Sequence, residues 1–153
     1  MTTLSLPTQP PGYSLVEELQ EPAPASSAVR LTAPHEPARE DLLLNKLGPK
    51  GWGRVYHFRN YYPSGWGEDG RALSPKALDA FFRFLEAASF PAGGASVFLT
   101  DRGGIELCWE DRSGKSVQVE FTGIGAEFYK AQTDEEGVVA FDDVVQLSQR
   151  LST

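Results

Sequence analysis

Little in this chain can ligate a soft metal or cross-link the backbone. Its 153 residues include one cysteine, Cys108, and two histidines, His35 and His57. A lone cysteine excludes an internal disulfide and fits a reducing compartment. Ligands at positions 35, 57 and 108 have no zinc-type spacing, so neither a metal nor another cofactor is expected. No apolar run approaches the ~18 residues of a membrane span, and the N-terminus lacks the charged-then-apolar layout of a signal peptide. A soluble, cytoplasmic chain without a membrane partner is the expectation. Positive charge is scarce too: 14 Lys and Arg stand against 21 Asp and Glu, a net charge of −7. Cations must displace counterions from phosphates, so this balance argues against a general nucleic-acid binder and favours basic partners.

What is present is unevenly distributed. Seven of the eleven prolines precede Ala38, in a stretch with little to bury, so residues 1–34 read as a largely disordered tail and 35–153 as one domain. Within the tail, Ser14 and Glu17 have capping-box spacing, enough for one helical turn to Leu19. A first helix is expected from Pro37 to Gly48, burying Leu43, Leu44 and Leu47. Residues 48–70 read as an aromatic, glycine-rich connection. A second helix spans 74–88: Ser74 caps it, Pro75 opens it, and Leu78, Phe81, Phe82 and Leu85 share a face.

Residues 96–131 carry the clearest pattern. Ile105, Leu107 and Trp109 alternate with Glu106, Cys108 and Glu110, and Val117, Val119 and Phe121 alternate with Gln118 and Glu120. Alternate side chains on a strand face opposite sides, so this is a meander of about four antiparallel strands with one apolar and one acidic face. Turn signals at 101–104, 111–114 and 122–125 separate the strands, and Asp134-Glu135-Glu136-Gly137 closes the run. A last helix, 141–151, turns Phe141, Val144, Val145 and Leu151 inward. Helices on both sides of the meander define an α+β, two-layer fold, with two or three helices on one sheet face.

Catalytic constellations are missing. Cys108 falls mid-strand, where thiols are not activated, and nothing pairs it with His57. Glu106 and Glu120 can neighbour each other across strands, but without an enclosing pocket they act only as surface charge. Asp134-Glu135-Glu136 lacks the alternating oxygen ligands of a calcium loop. No phosphate-binding Gly-x-x-x-x-Gly-Lys-Ser/Thr loop occurs. Gly48-Pro49-Lys50-Gly51 resembles a Gly-x-x-Gly nucleic-acid clamp, which needs helices on both sides, whereas 54–62 reads as extended or irregular. A non-enzymatic protein is expected.

The order Gly65-Trp66-Gly67-Glu68-Asp69-Gly70, Leu73-Ser74-Pro75, helix 77–85, strand 97–100, Asp101-Arg102-Gly103-Gly104, strand 105–109 ending in Trp109, and strand 117–121 resembles a family of small uncharacterised bacterial proteins. Its members carry a tryptophan–acid–glycine turn, a Ser-Pro helix start, an Asp-Gly-Gly type hairpin and a strand ending in tryptophan. Here Gly67 separates Trp66 from the acid. The resemblance covers 66–129, supports the α+β fold, implies a bacterial source and implies no reaction.

Two surfaces remain as binding candidates. One is the polar sheet face, represented by Glu106, Glu110, Glu120 and Tyr129. Residues 101–143 hold 11 acids and 4 bases, a local balance of 4 − 11 = −7. Such a face suits a basic protein partner, with an inhibitor-, antitoxin- or immunity-like role as the class analogy. The other surface is the acid-free segment 46–66, represented by Trp52, Arg54, Tyr61 and Trp66. Its aromatics and cations suit a ligand or a single-stranded nucleic acid. They equally suit a core edge whose cations face the acidic sheet of the same molecule. Open sheet edges also permit a homodimer.

Overall fold

Ser74 marks where the chain turns into its best-defined helix. Its hydroxyl accepts from Ala77 N at 3.3 Å, and Pro75 takes the first helical position, where no amide donor is needed. A computed structural model describes residues 36–65, 67–91 and 94–152. The segment 1–34, with its expected turn at Ser14–Leu19, and Trp66 lie outside the described residues. Residues Arg39–Thr153 form one compact unit, to which every contact below belongs.

In chain order the elements are α1 (Glu36–Tyr61), α2 (Pro75–Ala87), β1 (Ala95–Leu99), β2 (Ile105–Glu110), β3 (Ser116–Phe121), β4 (Ala126–Lys130), β5 (Glu135–Val139), a single 3₁₀ turn (Phe141–Asp143) and α3 (Val144–Leu151). The strands form one antiparallel sheet in the order β1-β2-β3-β4-β5, so each pairs with its neighbour in sequence. Helices pack on one face, giving the expected α+β architecture with five strands rather than four.

The fifth strand replaces the expected closing turn at Asp134–Gly137. Reversal happens earlier, at residues 131–134, where Asp134 takes a positive φ of 52°. Lys130 then pairs with Glu135 and Phe128 with Gly137. Two acids and a glycine carry no apolar alternation, because an edge strand needs only its backbone ladder to join the sheet.

The core lies between the sheet's apolar face and the helices. Ile105, Leu107, Val117, Val119 and Phe121 are fully buried, and Trp109 nearly so. From α2 come Ala77, Ala80, Phe81, Phe82, Phe84 and Leu85. Phe81 and Phe84 meet Phe121 edge-on, at centroid distances of 5.8 and 5.2 Å, and Phe90 meets Trp109 at 5.1 Å. α3 contributes Val144, Leu147 and Leu151, and its Ser148 hydroxyl donates to Phe84 O at 3.0 Å. Val145, expected inward, is exposed. The stripe 144, 147, 148, 151 follows the helical repeat and leaves 145 on the flank.

α1 departs furthest from expectation. It stops at Gly48, as anticipated, because φ 75° and ψ 179° there break the helical path. It then resumes through Pro49 to Tyr61, so the expected irregular connection is largely helical. Leu43 is buried, but Leu44 is 41% exposed, since the narrow contact with α2 covers only one side of the helix. Lys46 Nζ donates to Ala88 O at 2.5 Å, satisfying a carbonyl at the end of α2. Past the kink, Val55 enters the core and Arg54 Nη1 donates to Val97 O at 3.0 Å on edge strand β1.

Candidate functional sites on the sheet face and the kinked helix

Register places the acidic residues of the sheet's second face in a row. Phe98 opposes Glu106, Glu106 opposes Glu120, Glu120 opposes Glu127, and Glu127 opposes Val138. A parallel row runs Ser96, Cys108, Gln118, Tyr129, Glu136. Three carboxylates directly opposite one another repel, and their spacing is fixed by the backbone ladder. One guanidinium resolves most of this. Arg102, in the β1–β2 turn, donates from Nη2 to Glu120 Oε1 at 2.5 Å and to Glu127 Oε1 at 2.9 Å. Its Nε and Nη1 reach the second oxygens of the same two acids.

Protonation follows from that geometry. Hydrogen bonds from Arg102 hold the Glu127 carboxyl below its ordinary range, and the two acids raise the Arg102 pKa further. Glu106 shifts the opposite way, raised by burial and then by the Glu120 charge. Cys108 is pushed up to about 11, first by burial and then by the Glu106 charge. Its thiol therefore stays protonated near neutrality.

Of the four residues anticipated on this face, all lie on it. Glu106 and Glu120 oppose each other, Glu110 is exposed opposite Ser116, and Tyr129 is partly exposed with its hydroxyl donating to Asp134 Oδ1 at 3.3 Å. A shallow hollow of about 350 Å³ runs over Glu106, Glu120, Glu127, Tyr129 and Val138. Val138 is 69% exposed at its edge. Sequence reasoning missed Arg102, whose turn position gives no hint that it reaches two strands away.

The second surface centres on the later half of α1. Trp52 packs partly against the core and stacks on Tyr56 at 5.5 Å. Tyr61 is 66% exposed and stacks on His57 at 4.7 Å. Arg54, besides its bond to Val97 O, sits 4.8 Å over the Phe98 ring. Trp66 lies outside the described residues. The core-edge reading thus accounts for part of Trp52 and ties Arg54 to the sheet edge, leaving Tyr61 outward.

Between this helix and β1 lies a hollow of about 510 Å³, lined by Lys50, Gly53, Arg54, His57, Phe58, Tyr62, Phe98 and Leu99. The spacing 50, 53, 54, 57, 58 is one helical face, and that signal was present in the sequence. Gly51, Gly53 and dense aromatics obscured it. The Gly-x-x-Gly motif does join two helical segments, removing one objection to a clamp. Another replaces it: Pro49 has no N–H to offer, and Gly51 is buried against Leu47.

His57 and Cys108 belong to different surfaces, since His57 packs against Tyr61 and Tyr62 on the α1 side and Cys108 lies mid-strand in β2 between Ser96 and Gln118. Among the described residues no group of three or more His, Cys, Asp or Glu is placed to hold a metal ion, and no helix is long and apolar enough to cross a membrane. No family model, curated protein or solved structure matches the chain. The resemblance across 66–129 therefore rests on the order of its motifs alone.

Proposed function

We propose that this chain is a non-enzymatic protein-interaction module whose open sheet face docks a basic protein. The observation that carries this reading is the in-register row Glu106–Glu120–Glu127, with Tyr129 beside it, on the sheet face away from α2. Carboxylates held at fixed spacing steer a cationic surface and set its register, while Tyr129 and Val138 supply area to desolvate. Arg102 keeps the row rigid and leaves Glu106 and Glu110 for the partner's cations. An inhibitor-, antitoxin- or immunity-like masking of a basic effector is the role that such a face suits, by analogy of class.

The test compares co-purification from the native host by the unaltered chain and by a Glu106→Lys/Glu110→Lys/Tyr129→Ala variant of unchanged fold. The reading expects one or more basic proteins to be retained by the first, released by salt, and lost with the second. If every retained protein is indifferent to the substitutions, the sheet face is not the docking surface.

A further inference from the structure

We propose that the hollow between the later half of α1 and β1 binds a small ligand consisting of a planar ring that carries an anionic group, either a carboxylate or a phosphate. This does not rest on the sheet-face reading and uses none of its carboxylates, although Phe98 stands opposite Glu106 at the end of the same row.

The hollow's volume, about 510 Å³, falls within the range of about 300–1,000 Å³ that small-molecule sites occupy. Its polar lining is one-signed. Lys50, Arg54 and His57 recur at one-turn spacing along α1, and no carboxylate lines the space. If Lys50 and Arg54 served only to neutralise the molecule's own acidic sheet, they would be paired with it. They are not: Lys50 has no hydrogen bond or ion pair among the described residues, and Arg54 bonds to a carbonyl instead.

The Arg54 guanidinium is also held in advance. With Nη1 on Val97 O and its plane over Phe98, it loses little side-chain freedom when an anion arrives. The remaining walls are rings. Phe58 and Tyr62 come from α1 and the residue after it, and Phe98, 39% exposed, comes from β1. Gly53 presents bare backbone, with open space where a Cβ would stand, so a flat group can lie close to the helix. Cations interleaved with aromatic faces select a ligand that joins an anionic group to a planar ring.

Isotope-labelled full-length chain is titrated with 2-aminobenzoate and with adenosine 5′-monophosphate, following backbone amide shifts. Aniline, adenosine, inorganic phosphate and a series of single-stranded oligothymidylates serve as comparisons. The expected result is saturable shifts confined to residues 50–62 and 98–99, with at least one anionic ring compound binding about tenfold or more tightly than its neutral counterpart. Lys50→Gln/His57→Gln, both on exposed side chains, is expected to cut that preference by about threefold or more, Arg54 keeping the remainder, while leaving the thermal midpoint unchanged. Phe98→Ala is expected to weaken charged and neutral rings alike.

Several results overturn the proposal. These are no shift at millimolar ligand, shifts elsewhere on the molecule, equal affinity for the neutral counterparts, or inorganic phosphate matching the nucleotide. Affinity that rises steadily with oligothymidylate length also overturns it and reassigns this helix to single-stranded nucleic acid.

Discussion

Glu106 and Glu120 oppose each other across β2 and β3, yet only Glu120 is held by Arg102. The asymmetry arises because the β1–β2 turn projects Arg102 toward β3 and β4, where it spans Glu120 and Glu127. Glu106 is left with a like charge opposite it and the Cys108 thiol two residues along. One end of the acidic row has half its charge offset and is stiff, and the other is without a cation from Arg102 and available.

That arrangement makes Glu106 a source of instability at neutral pH. Its folded-state pKa is raised, so its contribution to stability is present below the unfolded pKa and lost as pH rises through the folded value. Glu106→Gln is expected to stabilise the fold by about 0.5 kcal/mol at pH 7, a typical worth for one cross-strand pair. The gain should shrink as pH falls to about 4, where carboxyls protonate. Urea unfolding of both proteins across this range checks it, and an advantage that persists undiminished in acid would refute the assignment.

Arg102 acts with the opposite sign. It depresses Glu127, whose stabilising contribution is present above the unfolded pKa and lost as pH falls through the folded one. Arg102→Met is expected to cost about 1 kcal/mol at neutral pH and low salt, because a multi-acid network exceeds a single surface pair. The cost should decline in acid and in high salt. Thermal midpoints over a pH and salt grid would reveal a flat response if the clamp were unimportant.

Gly103 is constrained twice. Its φ is 76°, and a Cβ there would overlap the Ala72 carbonyl oxygen. The same turn anchors the start of α2, since Ser74 N donates to Gly103 O at 2.8 Å. Gly103→Ala is predicted to destabilise by about 2–4 kcal/mol, combining backbone strain with displacement of a packed segment. Chemical denaturation measures this directly, and a loss under about 1 kcal/mol, the ordinary cost of positive φ alone, would mean that the turn relaxes freely.

Cys108 should resist alkylation despite being only partly covered. Its pKa of about 11 leaves little thiolate at pH 8. Iodoacetamide labelling rates are expected to climb steeply up to about pH 11 in the native chain, and Glu106→Gln should move that profile to lower pH. A rate that levels off near the free-thiol value of about 8.5 would contradict the shift.

Much of this architecture is written in short-range pattern. The alternation at 105–110 and 116–121 identified both central strands and their inner faces, because a strand has only two faces and one must be dry. Ser74-Pro75 marked the start of α2 for an equally local reason: a capping hydroxyl and a fixed φ act within a single turn. Recognition failed where local preference and tertiary packing disagree. Residues 49–61 hold two glycines and many aromatics, yet Val55 in the core and Arg54 on the strand edge draw them into a helix. β5 carries no apolar stripe and exists because β4 offers a free edge. Phe98 lies far along the chain from Lys50 and His57, so no reading of segment 46–66 by itself reaches the wall that closes the hollow.

The amino-acid order alone therefore determined which residues of 105–121 are dry, where the first three hairpins turn, and that acids collect on one sheet face and cations in the segment 46–66. Those follow from side-chain transfer energies and from dihedral limits that act over a few residues. Tertiary structure decided which charges meet: Arg102 with two acids it cannot be paired with by spacing, and Lys50 with none among the described residues. Electrostatic and packing contacts depend on distances through space, which strand register and helix docking set and local sequence does not encode.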